Sequence, residues 1–272
     1  MPERPSALSF SCWHGLGNDY VLLSGFEIGE RSPESLAVAV CDRRRGIGAD
    51  GMLVLSEPPT GPMQFRIFNA DGSEAELCGN GLRCAAAMWA DRLGVTDVRV
   101  SSSVGTHAAR VHPTTPQSWQ VEMELVPVII GPSHVVSLEG DAVEVHAAAV
   151  GNPHAVVIID DVSQCDRLAE IAAAVRVGDS GGGVNVHLAC LSGDHQVSMW
   201  SDERGVGPVD ACATGAAAVA AISRRVCGGG QAEWNVAMAG GEMQVRLPSD
   251  EGPVVMAGPA ERICSGRWHV AG

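Results

Sequence analysis

The chain has 272 residues, enough for two domains with ample core, and carries a net charge of −14 without a single lysine. That balance excludes nucleic acid and an anionic membrane surface as partners. Nine cysteines, an odd number without framework spacing, fit a reduced cytoplasmic protein and exclude a secreted disulfide scaffold. No segment nears the roughly 20 apolar residues of a membrane span, and the start MPERPSALSF lacks a positive-then-apolar signal pattern.

In chain order, Leu8–Cys12 and Tyr20–Leu23 read as strands around the loop His14-Gly15-Leu16-Gly17-Asn18-Asp19. Pro33–Cys41 has helical spacing, with Ser32 as its cap. Arg43-Arg44-Arg45, the only basic cluster, reads as a solvated turn. Gly46-Ile47-Gly48-Ala49-Asp50-Gly51 is a glycine-rich bend before an apolar strand, Met52–Leu55. It precedes a strand and does not join strand to helix, so it is no dinucleotide fingerprint. Phe65–Phe68 is a strand, followed by a turn on Asn69-Ala70-Asp71-Gly72, where glycine admits positive φ and aspartate bonds its own backbone. Cys78 then stands on a Gly-Asn-Gly bend opening the helix Leu82–Leu93, which Gly94 closes. Backbone N–H groups at such a helix start attract anions and lower a thiol's pKa. Strands Val98–Ser101, Ala108–His112 and Gln120–Leu125 follow. The Pro/Gly-bearing join at Val126–Ser133 is the expected domain boundary.

The second half replays the first. Val143–Val150 and Ala155–Ile159 read as strands around Gly151-Asn152-Pro153-His154, and Ser163–Val175 as a helix. Gly181-Gly182-Gly183 is a second glycine bend before Val184-Asn185-Val186. Strand Gln196–Trp200 leads through a polar turn, Ser201–Pro208, to Cys212 and the alanine-rich helix Ala213–Val226. Strands near Asn235–Ala239, Met243–Leu247 and Val254–Ala257 end the pattern. Gly17-Asn18 against Gly151-Asn152 and Cys78 against Cys212 give the same offset of 134 residues, which pairs Asn185 with Gly51. Asn69 and Glu203 each lie nine residues before their cysteine. Two copies of one α/β (α+β) unit are therefore expected, 1–126 and 127–272, each of mostly antiparallel strands with one long helix. How far the last strands return to complete the first domain is left open.

Two facing halves would bring Cys78 and Cys212 to opposite sides of one cleft, an arrangement suited to inverting a stereocentre. One thiolate removes a proton from one face and the other thiol delivers a proton to the opposite face. An amino-acid α-proton is very weakly acidic, so N–H groups oriented on the carboxylate must stabilise the carbanion-like state. Helix starts at Asn80-Gly81 and Ala213-Thr214-Gly215 suit that task.

The blocks FNADGSEAELCGNGLRC, HGLGNDY, GIGADG, GNPHAVV, GVNV and ERGVG-x-x-x-AC-x-TG resemble the signature blocks of the diaminopimelate epimerase family, in the family's order and over essentially the whole chain. The resemblance implies two pseudo-symmetric domains of that fold, each a barrel-like sheet around a central helix. It also implies cofactor-independent inversion of LL-diaminopimelate to the meso form, with Cys78 and Cys212 as the acid/base pair. His154 and Glu203 match polar residues near the reacting centre. Asn18, Asn69, Asn152, Asn185 and Arg204 match substrate-holding positions, while Gly79, Asn80, Ala213 and Thr214 would offer backbone N–H groups to the reacting carboxylate. Arg204 can grip a carboxylate with two bonds, and the amides can serve ammonium and carboxylate alike. The expected partner is a small amino acid, and the oligomeric state, a homodimer included, is not set by the sequence.

Departures from the family pattern are Pro208-Val209-Asp210 where Glu-Thr-x is usual, Ala213 where glycine is usual, His187-Leu188 in the usual aromatic region, and Ala85 where phenylalanine is frequent. The altered loop keeps open a related two-cysteine racemase for another amino acid, and a non-catalytic amino-acid-binding relative is the remaining alternative. Cys12, Cys41, Cys84, Cys165, Cys190, Cys227 and Cys264 read as inert packing. No paired C-x-x-C occurs and Cys78 and Cys84 are too far apart for a knuckle, so no metal is expected, and the resemblance implies no cofactor.

Overall fold

The computed structural model describes residues 7–58, 60–138, 140–177, 183–193, 195–230, 232–249 and 252–270. Gly181 and Gly182 of the second glycine bend lie outside these residues. The chain divides into two compact units, Met1–Met123 with Gly258–Gly272, and Glu124–Ala257.

The first unit contains β1 (Ala7–Gly15), β2 (Asn18–Ser24), α1 (Gly25–Ile28), α2 (Pro33–Cys41), β3 (Gly51–Ser56), β4 (Met63–Asn69), β5 (Glu74–Ala75), α3 (Gly79–Leu93), β6 (Asp97–Ser102), β7 (Gly105–Thr115) and β8 (Ser118–Leu125). The returning end of β17 (Val254–His269) completes it. Pairing runs β1-β2-β3-β4-β6-β7-β8-β17 and back to β1, a closed eight-stranded barrel. Helix α3 packs against β1, β2, β3, β4, β6 and β7. Its first nine residues, Gly-Asn-Gly-Leu-Arg-Cys-Ala-Ala-Ala, are all buried, because small side chains let strands approach from every side. Gly94 ends it in the left-handed region at φ 67°, its N–H returning to the carbonyls of Ala90 and Asp91. On the outside, α2 starts at Ser32, whose hydroxyl accepts the Ser35 N–H at 3.2 Å, and buries Leu36, Ala37, Val40 and Cys41.

The second unit contains β9 (Ile129–Leu138), β10 (Asp141–Ala149), β11 (Pro153–Ile159), a 3₁₀ turn (Val162–Arg167), α4 (Leu168–Val177), β12 (Asn185–Leu191), β13 (Gln196–Glu203), β14 (Gly207–Val209), α5 (Ala213–Val226), β15 (Glu233–Met238) and β16 (Gly241–Arg246). Pairing runs β9-β10-β11-β12-β13-β15-β16 and on to the start of β17. Helix α5, buried from Ala213 to Ser223, packs against β10, β11, β12, β13, β15 and β16.

The duplication holds at the level of individual strand pairs. In the parallel pair β2/β3 Tyr20 faces Gly51, and 134 residues on, in β11/β12, His154 faces Asn185. Met52 faces Phe68 in β3/β4, and Val186 faces Asp202 in β12/β13. The register slips beyond that point: Met63 faces Val100, whereas Val197 faces Val236, two residues past the matching position.

Three stretches differ from their sequence-based reading. The Val126–Ser133 join is largely strand: β9 begins at Ile129, and Gly131-Pro132 form a bulge opposite Ala147, where proline's missing N–H costs no ladder bond. The supposed turn Ser201–Pro208 is a hairpin, in which Ser201–Glu203 end β13, Arg204–Val206 turn, and Gly207–Val209 pair back. The Pro208-Val209-Asp210 departure thus lies on and just past a short strand leading to Cys212. Finally, the helix expected at Ser163–Val175 opens as the 3₁₀ turn, capped reciprocally by Asp161 and Gln164, before becoming α4.

Candidate active site

In the first unit, Cys78 is the extended N-cap of α3 at φ −140°, its Sγ accepting the Gly81 N–H at 3.4 Å. The Tyr20 hydroxyl lies 2.9 Å from Sγ and bonds the Asn18 amide oxygen. Phenol and thiol share one proton position: Tyr20 either donates to Asn18 and accepts from the thiol, or donates to a thiolate. A two-residue turn on Leu16 (φ 56°) and Gly17 (φ 87°) makes Asn18 the first residue of β2 and so fixes this placement. Asn18 Nδ2 also donates to Asp50 Oδ2 at 2.9 Å. Arg43 clamps Asp19 at 2.9 Å and Asp50 at 2.8 Å, so one member of the basic run anchors the Asn18 loop and is more than a solvated turn. The N–H groups of Arg44 and Arg45 go to the Asp42 carboxylate. Asn69 holds its own turn, Nδ2 donating to Ser73 Oγ at 2.9 Å. Asn80 is buried and accepts from Arg83 Nη2 at 2.8 Å; Arg83, fully buried, also reaches the carbonyls of Gly79 and Pro259.

In the second unit, Cys212 is the extended N-cap of α5 at φ −130°. It is buried, with Sγ 3.8 Å from Thr214 Oγ1. Burial, and after it the hydrogen-bonded Glu203 carboxylate, push its pKa well above the usual thiol value, opposed by the Gly215 N–H and the Thr214 hydroxyl. Beside it runs a polar chain, buried from His154 to Ser201, with 2.9 Å links: Asn152 Oδ1 to His154 Nε2, His154 Nδ1 to His187 Nε2, and His187 Nδ1 to Ser201 Oγ. Burial pulls His154 down to about 3 and His187 well below its ordinary value, so both rings are neutral at pH 7. Gly215 has no room for a side chain, since a Cβ there would lie 2.4 Å from His187 Cε1 and 3.0 Å from Cys212 Sγ. Asn185 Oδ1 accepts the Arg204 N–H at 2.9 Å, and the Arg204 stem lies over Gly183.

Gly79 and Asn80 are the first two residues of α3, and Ala213 and Thr214 those of α5, positions whose N–H groups make no intrahelical bond. Each unit thus assembles its own half-site of one design: asparagine, then a ring residue two positions on, beside a helix-capping cysteine.

Residues 10–128 and 146–263 match the family described as diaminopimelate epimerase. A diaminopimelate epimerase of Desulforudis audaxviator is 36% identical, the match covering 96% of this chain and 99% of that one. One of Synechocystis is 35% identical over 97% and 100%. The chain belongs to the diaminopimelate epimerase family. It is an isomerase of the epimerase and racemase type. Among solved structures, a hydroxyproline epimerase from Agrobacterium vitis shares the fold at a TM-score of 0.75 and 13% identity, covering 97% of this chain and 93% of that one. A phenazine-biosynthesis PhzF-family protein of Bacillus anthracis does so at 0.74 and 11%, over 96% and 98%.

Within this diaminopimelate epimerase family member, sequence reasoning missed Tyr20, His187 and Ser201. The signal for Tyr20 was present, since it precedes His154 by the 134-residue offset. His187 was noted only as a departure. Of the cysteines read as packing, Cys12, Cys41, Cys84 and Cys190 are buried, whereas Cys165 is half-buried and Cys227 and Cys264 are exposed. The expectation of no metal rested on local spacing; His154, His187 and Cys212 come from three separate elements, and their donor atoms lie within 4.8 Å of one another. No helix among the described residues is long and apolar enough to cross a membrane.

Proposed function

We propose that this chain inverts one α-carbon of LL-diaminopimelate to give the meso form, without a cofactor, using Cys78 and Cys212 as its two bases. The observation that carries this reading is the repeated half-site, with a cysteine capping the central helix of each unit at one fixed offset. Full-length likeness to diaminopimelate epimerases supports the choice of substrate.

Two-base inversion needs a thiolate to take the Cα proton from one face while a thiol gives a proton to the other. Cys212, buried beside Glu203, rests as the thiol and is the acid. Cys78 is the base, and Tyr20 donates to its sulfur when that is a thiolate. The first-turn N–H groups at Gly79, Asn80, Ala213 and Thr214 hold the reacting carboxylate and stabilise the developing negative charge. Glu203 orients the ammonium group, and His154, with both ring nitrogens already bonded, lies beside Cys212 and tunes it. Asn18, Asn69, Asn152, Asn185 and Arg204 hold the distal amino-acid end, with Arg204 as the carboxylate clamp. The product serves lysine and peptidoglycan-precursor synthesis.

The test is incubation of reduced enzyme with LL-diaminopimelate in deuterated water, read by NMR and chiral chromatography. Deuterium at one α-carbon together with meso product is the expected result. No exchange, beside an active control epimerase, rejects the substrate and turns attention to the Pro208–Asp210 segment.

A further inference from the structure

The polar chain in the second unit has a property that the hydrogen-bonding rules expose. Asn152 Oδ1 only accepts, so His154 carries its proton on Nε2 and turns the Nδ1 lone pair toward His187. His187 has two ways to answer. With its proton on Nε2 it donates to His154, and the Ser201 hydroxyl donates to Nδ1. With its proton on Nδ1 it donates to Ser201 Oγ, and two nitrogen lone pairs then face each other across 2.9 Å. The second state is repulsive unless a cation stands between the rings, and the rotatable Ser201 hydroxyl permits either state. A ring nitrogen of each histidine and Cys212 Sγ lie within 4.8 Å of one another, and His154, His187, Ser201 and Cys212 are all buried.

We propose that His154 Nδ1, His187 Nε2 and Cys212 Sγ form a site for a borderline-soft divalent cation of the zinc type. Two imidazoles and one thiolate are ligands such ions favour. Asn152 and Ser201 already bond the far nitrogen of each ring, which is how outer partners fix the orientation of metal-bound histidines. Both rings bind in their neutral form. On binding, the Cys212 S–H bond breaks, the proton leaves to solvent and a metal–sulfur bond replaces it; nothing is oxidised or reduced. The first unit offers no equivalent, because Leu53 and Ile67 occupy the register positions of His187 and Ser201. Resting on the function proposed above, occupancy withdraws Cys212 from proton transfer, so the ion is a reversible inhibitor.

Binding is measured apart from turnover. Reduced, metal-free protein is titrated anaerobically with Co²⁺, and then with Zn²⁺ to displace it. The expected result is one ion per chain, with the absorption of a tetrahedral cobalt–thiolate. Cys78→Ser keeps that spectrum, and Cys212→Ser loses it. His187→Leu weakens binding by more than the roughly 10–100-fold that loss of an outer partner costs, and Ser201→Ala weakens it within that range. Circular dichroism of the metal-free variants checks their fold, and Cys212→Ser carries the test if His187→Leu does not fold. An unchanged spectrum in His187→Leu or Cys212→Ser, its loss in Cys78→Ser, or the absence of any bound cobalt would overturn the site. Cobalt binding in a protein that fails to exchange deuterium into diaminopimelate would leave the site standing and remove only its inhibitory meaning.

Discussion

The two units build the same backbone around their cysteines and then furnish it differently. At one fixed register, Tyr20 in the first unit stands where His154 stands in the second, and the apolar pair Leu53/Ile67 where the polar pair His187/Ser201 stands. The first unit buries a guanidinium, Arg83, within its central helix, and the second has Ala217 at the matching position. Strand register and the helix N-terminus place the thiol. The side chains hung on that register decide what surrounds it, so duplicated halves can hold one geometry and diverge in electrostatics.

The largest effect expected from this comparison is catalytic. If each unit supplies one base, Cys78→Ser and Cys212→Ser each reduce inversion by about 10³-fold or more, in keeping with the loss of a positioned proton donor or acceptor. Near-normal racemisation by either variant would show that the halves are not equivalent partners.

A second, structural contrast concerns the glycines three residues after each cysteine. An added Cβ at Gly215 meets His187 at 2.4 Å, whereas at Gly81 the nearest atom is Leu53 Cδ2 at 3.2 Å. Gly215→Ala should therefore destabilise by about 1–3 kcal/mol in urea unfolding, as overpacking does, and Gly81→Ala distinctly less. Equal losses would mean that the histidine pair does not crowd its helix.

The smallest effect is in acid. His154 falls from 6.5 to about 3 in the folded chain, and His187 falls too, so the unfolded chain binds protons that the folded chain refuses. Their stabilising contribution is complete above about pH 6.5 and is lost progressively as the pH falls toward 3. His187→Leu should make the melting temperature fall less between pH 7 and 5 than it does in the parent protein. Parallel curves would count against a buried neutral pair.

Much of the fold was legible because insertions are absent between Asn18 and Phe68 and between Asn152 and Asp202, so one offset aligns whole strand pairs. Helices Pro33–Cys41 and Ala213–Val226 were readable from their caps and composition and run between those residues. The continuation of β17 past Ala257 was not. Beyond Ala260, β17 carries Arg, Glu and Ser on a largely exposed surface, so hydrophobic alternation fades although the backbone stays paired. Gly131-Pro132 looked like a linker because a bulge draws on the same residue types as a turn. The placements of Cys78 and Cys212 were visible locally, but the chain joining Asn152, His154, His187 and Ser201 was not, since it depends on three strands lying side by side.

The closure of the first barrel by β17 also sets an order of events at the ribosome. Strands β1 and β8 emerge early, and the segment that joins them, Gly258 onward, is made only after all of Glu124–Ala257. At ~5–20 residues per second that interval is roughly 7–27 s. Through it the nascent first unit is an open sheet with two bare edges, the state most prone to pairing with a neighbouring chain. Translation speed across the second unit therefore sets how long those two edges stay bare.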